Sequence, residues 1–211
     1  MYDIPYFKAA DHDEVIVFMK AHPFIILCGS DVDGTPVATH LPVLIEEREG
    51  KIFLLAHIMR KQEHTVAFEK NANVLAIFYG EHRYISASWY ETKNVASTWN
   101  YQAVHAKGII HFLEEEDLYQ LLIKLTDHFE SNPHSPASVH TMDKTYVNNM
   151  MKAIVAFEIE ITRLNHVFKL SQNKDPKTID TIVSQLKSGN SDVMVVAEKI
   201  KDQQNCDAKL S

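Results

Sequence analysis

The chain has 211 residues, of which 45% are hydrophobic and 23% charged, and a formal net charge of −7 at pH 7. This balance is typical of a folded globular protein and argues against a general binder of polyanions, because phosphate contacts require an excess of lysine and arginine. Only two cysteines occur, far apart, so we expect a reducing cytoplasm without a disulfide framework, a signal peptide or a membrane span.

The first 114 residues predict six β-strands with short turns and two helices. Asp11 is expected to cap the first helix, with Glu14 as the reciprocal partner of a capping box. The segment 31–34, DVDG, predicts a hairpin turn in which Gly34 supplies a positive φ angle. With one intervening helix, at 60–70, this pattern favours a small antiparallel barrel over a parallel α/β sheet. The predicted strands cover residues 24–28, 35–45, 51–57, 73–80, 83–90 and 99–114, with 73–80 and 83–90 paired.

The second half is predicted to be mainly helical, with one further strand. The segment 153–161 alternates apolar and acidic residues, which is typical of a half-exposed strand returning to the barrel. The polar segment 169–174, KLSQNK, predicts a loop. We therefore expect a mainly β fold with flanking helices, divided into a barrel domain at 1–170 and a C-terminal helical extension at 171–211. The predicted helices of this half cover residues 114–131, 142–153, 176–189 and 191–201.

An aromatic segment, YISASWYETKNVASTWNY at 84–101, contains both tryptophans and three of the eight tyrosines. Rings mixed with amides and hydroxyls suit a flat heteroaromatic ligand, whose polar rim Thr98 and Asn100 could contact. An aromatic minicore or a subunit interface would produce the same composition. If Trp99 is buried, its replacement by alanine is expected to cost about 3 kcal/mol of stability.

A pair of cations lies where a predicted strand gives way to a helix. In HIMRKQEH, at 57–64, Arg60 and Lys61 precede the helix, and the N–H groups and dipole of a helix start favour an anion. The alternative is a solvated basic patch, since both residue types are usually exposed.

Histidines are abundant, twelve in all, including His40, His57, His64, His105 and His111. A metal site needs imidazoles at fixed spacing with supporting carboxylates, and no HExxH or comparable motif occurs. We therefore expect scattered surface and core histidines and no bound metal.

Four motifs in this order and spacing, ATHLP, ISASWY, STWNY and KLSQN, resemble the PaiB family of FMN-binding negative transcriptional regulators. The resemblance extends from MYDIPYF to about residue 187. It implies a six-stranded antiparallel split β-barrel of the FMN-binding type, related to pyridoxamine-phosphate oxidases and followed by C-terminal helices. It also implies a homodimer with FMN at the subunit interface.

The resemblance also implies which residues bind the cofactor. The HIMRK segment occupies the place of the phosphate-binding segment of such barrels, and ATHLP the place of the strand beside the isoalloxazine. The family usually has proline where this chain has Ala87 and Ser97. The implied cofactor-binding residues are Arg60, Lys61, His57, Thr39, His40, Leu41, Thr98, Trp99 and Asn100.

The family resemblance implies a transcriptional regulator, although the sequence shows no helix-turn-helix with a basic recognition helix. We therefore do not expect the dimer alone to bind duplex DNA tightly. Two alternatives are open. A flavin-dependent oxidoreductase would use the same cofactor for redox chemistry. A haem-binding or haem-degrading split barrel would use His40 or His57 as an axial ligand.

Overall fold

The structure is a computed structural model that describes the backbone at residues 1–2, 4–9, 11–130, 132, 134–187 and 191–210. Side chains are described over the same ranges except at 191–193 and 204–210. Six α-helices occur within this part of the chain, with short 3-10 turns at Pro5–Phe7 and Ala87–Trp89. The helices are α1 (His12–Ala21), α2 (Glu63–Lys70), α3 (Glu115–Glu130), α4 (Lys144–Met151), α5 (Pro176–Lys187) and α6 (Ser191–Leu210).

Seven strands of the described chain form one sheet, in the order β2-β1-β5-β6-β7-β4-β3. The pairs β1–β2, β1–β5, β3–β4 and β4–β7 are antiparallel. The predicted fold class, a mainly antiparallel β fold with flanking helices, is confirmed, but with seven strands instead of six. The strands are β1 (Phe24–Ser30), β2 (Pro36–Pro42), β3 (Leu44–Arg48), β4 (Lys51–Met59), β5 (Asn73–Ile85), β6 (Thr98–Phe112) and β7 (Ile154–Lys169).

Two local predictions from polar side chains are confirmed. Asp11 caps α1, because its Oδ1 accepts a hydrogen bond of 2.9 Å from the Glu14 N–H. In the β1–β2 turn, the Asp31 carboxylate accepts from the backbone N–H of Thr35 at 2.8 Å, and Gly34 has a φ of 84°. Short-range hydrogen bonding of this kind is encoded within a few residues, which is why the sequence predicts it.

Two strand predictions are wrong. The segment 35–45 is two strands, β2 and β3, which are separated at Val43, although the Val43 N–H still donates to the Pro23 carbonyl at 2.9 Å in the register of the β1–β2 pair. Pro42, with no N–H to donate, ends β2. Conversely, the predicted hairpin of 73–80 and 83–90 is the single strand β5, which continues to Ile85. Dividing 35–45 adds one strand and joining 73–80 with 83–90 removes one, so the first half of the chain still has six strands. The seventh is β7.

The chain divides into two compact units. Unit 1 comprises Met1–Val17, Tyr79–Val104 and Asn165–Ser211, and unit 2 comprises Phe18–Phe78 and His105–Leu164. In unit 1, α5 and α6 bury an apolar cluster with Ile85 and Leu170, and in unit 2, α3 packs Leu118 and Leu121 against Leu55 and Ala156. Each large apolar side chain buried in this way stabilises the fold by about 1.5–3 kcal/mol. The predicted boundary at residue 170 stays a prediction.

Candidate functional site

Unit 2 contains a cavity of about 390 Å³ between the end of β2, the end of β4 and the start of α2. We call it the His57 hollow. Cavities of this size are within the range used for small ligands and cofactors. Its lining residues are Thr39, His40, Leu41, Pro42, His57, Ile58, Met59, Gln62, His64 and Ile154.

Strand register fixes the side chains of this hollow. β4 pairs with β7 so that His57 lies opposite Ala156, and Met59, the last residue of β4, lies opposite Ile154. The Met59 carbonyl accepts a hydrogen bond of 2.7 Å from the hydroxyl of the fully buried Thr65 in α2. This bond ties the end of the strand to the following helix, so both elements that line the hollow on this side are joined.

His57 is the most informative residue of the hollow. Its Nδ1 is enclosed and has no hydrogen-bond partner among the described residues. Burial lowers the pKa of His57, which favours the neutral imidazole at pH 7. Leaving a buried ring nitrogen unpaired costs about 1–3 kcal/mol, which makes His57 an unusual member of the hollow's lining.

His64 is a second imidazole of the hollow, in the first turn of α2. Burial lowers the pKa of His64 and outweighs the opposing effect of the Glu63 carboxylate. The sequence named His64 only among scattered histidines and did not single out Gln62, which also lines the hollow. The sequence did contain a signal, because Gln62 and His64 lie at the start of the helix that directly follows the His57 strand and the Arg60–Lys61 pair.

The turn between β4 and α2 carries the two predicted cations, Arg60 and Lys61. The Arg60 N–H donates to the Ala153 carbonyl at 2.8 Å, and Lys61 has a left-handed φ of 61°. Both side chains are exposed, and neither forms an ion pair with any residue that the structure describes. They do not line the hollow themselves, but they lie between Met59 and Gln62, which do.

The start of α2 has no side-chain cap from Gln62 within the described structure, and its first turn contains the acidic Glu63. The first N–H groups of a helix need acceptors, which here a ligand could supply. Left-handed backbone at a non-glycine residue such as Lys61 costs about 1–3 kcal/mol and is concentrated at functional sites.

The three other predicted residues, Thr98, Trp99 and Asn100, lie in unit 1 at the start of β6. Asn100 is fully buried, and its Nδ2 donates to the Ser171 hydroxyl at 2.8 Å. The Thr98 hydroxyl accepts a hydrogen bond from Lys169, whose pKa is lowered by burial and then by the nearby charge of Lys174. The STWNY and KLSQN motifs therefore meet through side-chain hydrogen bonds.

Trp99 differs from its two neighbours because its side chain is 52% exposed. It belongs to a second cavity of about 310 Å³, which we call the Trp99 hollow. The Asn100 amide is paired with the Ser171 hydroxyl, and its contact with the polar rim of a ligand stays a prediction. The lining residues of the Trp99 hollow are Tyr79, Gly80, His82, Trp99, Tyr101, Gln102 and Ala103.

Residues 1–163 match the model of a family described as "Putative FMN-binding domain". The chain belongs to this family. A relative from Bacillus subtilis, the protease synthase and sporulation protein PAI 2, is 30% identical over 203 residues, which cover 96% of this chain and 97% of the relative. The predicted membership of the PaiB type is therefore confirmed. An uncharacterised Saccharomyces cerevisiae protein, YKL070W, is 32% identical over 107 residues, 47% of this chain and 63% of the relative.

Solved structures share the fold at low identity. The FAD and heme binding protein from Mycobacterium smegmatis has a TM-score of 0.57 and 16% identity, covering 76% of this chain and 72% of that chain. A conserved hypothetical protein from Mycobacterium tuberculosis, Rv2991, has a TM-score of 0.54 and 16% identity, covering 77% and 87%. At these identities the likeness shows the fold alone, which is the split barrel that the resemblance implied.

The residues of the His57 hollow fit a flavin of this FMN-binding family. The hollow is large enough for a small ligand, the enclosed Nδ1 of His57 has no partner among the described residues, and the exposed Arg60 and Lys61 directly precede α2, whose Gln62 side chain makes no capping bond there. Among the helices that the structure describes, none combines the length and hydropathy that a membrane crossing requires.

Proposed function

We propose that this protein binds FMN in the His57 hollow and that it acts as a PaiB-type regulator rather than as a sequence-specific DNA-binding protein. The observation that carries the proposal is a ligand-sized cavity lined by His57 and His64, followed directly along the chain by the exposed cations Arg60 and Lys61 at the start of α2. Membership of an FMN-binding family supports a flavin, and the phosphate-binding chemistry of the turn supports FMN over a flavin without a phosphate.

The phosphate is assigned to the turn before α2. FMN carries a dianion, and an acidic protein needs a dedicated cationic site to offset the loss of its hydration. Arg60 can donate two parallel hydrogen bonds to phosphate oxygens, whereas Lys61 adds a point charge. The N–H groups at the start of α2 supply further donors.

The flavin ring is assigned to the β2 and β4 side of the hollow. Leu41 is buried and offers an apolar wall, while Thr39 and His40 offer polar groups. His57 would hold a hydrogen bond at Nδ1 to a polar edge of the bound cofactor. FMN, when bound, supplies electron and hydride transfer, and the protein supplies its position and electrostatic surroundings. A contact of the flavin with Thr98, Trp99 or Asn100 stays a prediction.

Regulation is proposed without direct recognition of DNA. The name of the Bacillus subtilis relative links that protein to protease synthesis and sporulation, which supports a regulatory role here. The net charge of −7 opposes tight contact with a polyanion, since each neutralised phosphate requires a cation. We expect no nanomolar, sequence-dependent binding of duplex DNA at physiological salt in a gel-shift titration, and such binding would restore a direct mechanism.

We also propose a homodimer in the cytoplasm. Several large apolar or aromatic side chains of the single chain are solvent-exposed, including Tyr79, Tyr84 and Trp99. Such surface is typical of an interface. Light scattering at micromolar concentration is expected to give the mass of a dimer, and a monomer alone would contradict the proposal.

Haem is the second candidate, and one observation favours it. A neutral imidazole with an unpartnered nitrogen, such as His57, is a suitable axial ligand. The Mycobacterium smegmatis structure is that of a protein named for binding both FAD and heme. The visible spectrum of freshly purified protein separates the two, because the absorption bands of flavin and haem differ.

The flavin proposal is tested by titrating FMN and riboflavin into wild type and Arg60→Ala. A charge-assisted hydrogen bond contributes about 1.5–3 kcal/mol, so the variant is expected to bind FMN about tenfold to a hundredfold more weakly. Riboflavin, which lacks the phosphate, should bind both proteins with similar affinity. Arg163→Ala is the matched control, because Arg163 is an exposed arginine of β7 outside the hollow.

Equal losses of affinity for FMN and riboflavin in Arg60→Ala would mean that Arg60 stabilises the fold and does not bind the phosphate. Binding of neither flavin by the wild type would overturn the proposal for this chain.

A further inference from the structure

His64 is the residue of the His57 hollow that lies on the helix after the two cations. It belongs to the first turn of α2, and its side chain lines the cavity and is half-buried. Its ring packs against Phe68 at a centroid distance of 6.1 Å. Within the described chain its ring nitrogens have no hydrogen-bond partner, and neither of them is enclosed. A ligand in the hollow can therefore reach this imidazole.

The surroundings of His64 keep its imidazole neutral when the hollow has no anionic ligand. The lining residues, all within the described chain, include no aspartate, glutamate, lysine or arginine, and the other titratable side chains among them are His40 of β2 and His57 of β4. On α2 itself, Glu63 is the acidic neighbour. Burial lowers the pKa of His64 and outweighs the opposing effect of the Glu63 carboxylate, so the neutral ring predominates at pH 7.

A phosphate at the start of α2 would change this balance. Arg60 and Lys61 directly precede the helix, and His64 follows in its first turn, so a phosphate held by this turn would lie near all three side chains. A phosphate monoester carries a charge of about −1.5 to −2 at pH 7, and an opposite charge within about 4–6 Å raises the pKa of a histidine. An imidazolium also donates from both nitrogens, which suits phosphate oxygens, since these only accept.

We propose that His64 takes up a proton from solvent when FMN binds in the His57 hollow, so that an imidazolium joins Arg60 and Lys61 around the phosphate. The inference rests on the proposed flavin site and adds a regulatory property to it, because the preference for FMN over riboflavin would then depend on pH. A group that is protonated more readily in the complex than in the free protein strengthens binding as the pH falls.

The pH range of this effect follows from the signs of the two shifts. The pKa of His64 is lowered in the free protein, and the phosphate is expected to raise it above the usual value of about 6.5 in the complex. The affinity for FMN should therefore increase from pH 8 to pH 6.5. Below a pH of about 6 the phosphate itself takes up its second proton, which opposes binding to cations, so the comparison is made above that value.

Calorimetric titration of FMN and riboflavin into the full-length protein at pH 8 and pH 6.5 tests the proposal. FMN is expected to bind about three- to tenfold more tightly at pH 6.5, with up to one proton taken up, and riboflavin about equally at both. Repeating the titration in buffers of different protonation enthalpy counts the protons in the wild type. His64→Gln should lose the gain for FMN and keep riboflavin binding. His12→Gln is the matched control, because His12 is an exposed histidine in the first turn of α1.

The outcomes separate this inference from the flavin proposal. FMN that binds equally well at both pH values without taking up a proton would overturn the role of His64 and leave the flavin site standing. A gain that persists in His64→Gln would assign the proton to another group, such as His40 or His57, and would also overturn it. An equal gain for riboflavin would exclude the phosphate as the cause. Binding of neither flavin at either pH would overturn both proposals.

Discussion

The two hollows of this chain differ in the charged groups beside them. The His57 hollow is followed along the chain by the cations Arg60 and Lys61 at the start of α2. The lining of the Trp99 hollow, all of it within the described chain, is mainly aromatic and contains no aspartate, glutamate, lysine or arginine. The comparison teaches that neighbouring charges distinguish a site for an anionic cofactor from an aromatic surface. The first hollow suits an anionic cofactor, whereas the exposed rings of the second suit a subunit interface.

The largest expected effect is a difference in the free energy of unfolding between variants of Asn100 and of Gln102, two buried amides only two residues apart. Asn100→Ala should lower the free energy of unfolding by about 1–3 kcal/mol, because Ser171 loses its buried partner. Gln102→Met should be neutral or stabilising, because it removes an acceptor that has no partner in the described chain. Urea denaturation of both variants measures the difference.

A loss in Gln102→Met as large as that in Asn100→Ala would break the comparison, because Gln102 would then be structural. Ser171→Ala serves as the control for Asn100, since it removes the other half of the same pair. It should cost a similar amount.

Acidification is the next way to sharpen the comparison. The pKa of His57 is lowered in the folded state by burial, so below pH of about 6.5 the unfolded chain takes up a proton more readily than the folded one. Stability is therefore expected to be full above that pH and to fall as the pH drops toward the folded-state pKa. His57→Gln should reduce this fall in denaturation curves measured from pH 7.5 to 5.5.

The fall should be reduced rather than abolished, because burial also lowers the pKa of His64, His105 and His166. A pH dependence in His57→Gln that matches the wild type would mean that His57 is not buried as a neutral ring.

The smallest expected effect is that of Trp99→Ala on stability. The ring is half-exposed in the single chain, so the loss at a protein concentration where the chain is monomeric should be about 1 kcal/mol, as for a ring pair, instead of the 3 kcal/mol expected for a buried tryptophan. A loss near 3 kcal/mol in urea unfolding of the monomer would contradict the half-exposed position of Trp99. A larger loss at concentrations where the dimer forms would support its place in the proposed interface.

Local chemistry explains what the sequence predicted of the fold. The Asp11 cap, the Asp31 turn and the apolar faces of the helices depend on residues a few positions apart. The break between β2 and β3 at Val43 and the continuation of β5 through Glu81 depend on pairing with distant strands, which no local pattern reveals.

Only part of the candidate site was predicted, because the rest depends on contacts between residues far apart in the sequence. Four of the residues implied by the resemblance, Thr39, His40, Leu41 and His57, line one hollow. Gln102 was missed because an unsatisfied amide is visible only when its surroundings are known. Ala87 and Ser97, where the family usually has proline, are also explained by the fold, since the Ala87 N–H donates to the Ser97 hydroxyl at 2.9 Å. Proline at either position would remove that bond.

The central claim, that FMN binds in the His57 hollow, is tested most directly by NMR of protein labelled with nitrogen-15 in its histidines. His166 is the internal control, because its pKa is also lowered by burial but its Nε2 already accepts the Ala9 N–H at 2.9 Å. With signals assigned from His57→Gln and His166→Gln, saturating FMN is expected to shift the His57 Nδ1 resonance and to leave His166 unchanged. Saturation with FMN that leaves the His57 resonance in place would contradict the account.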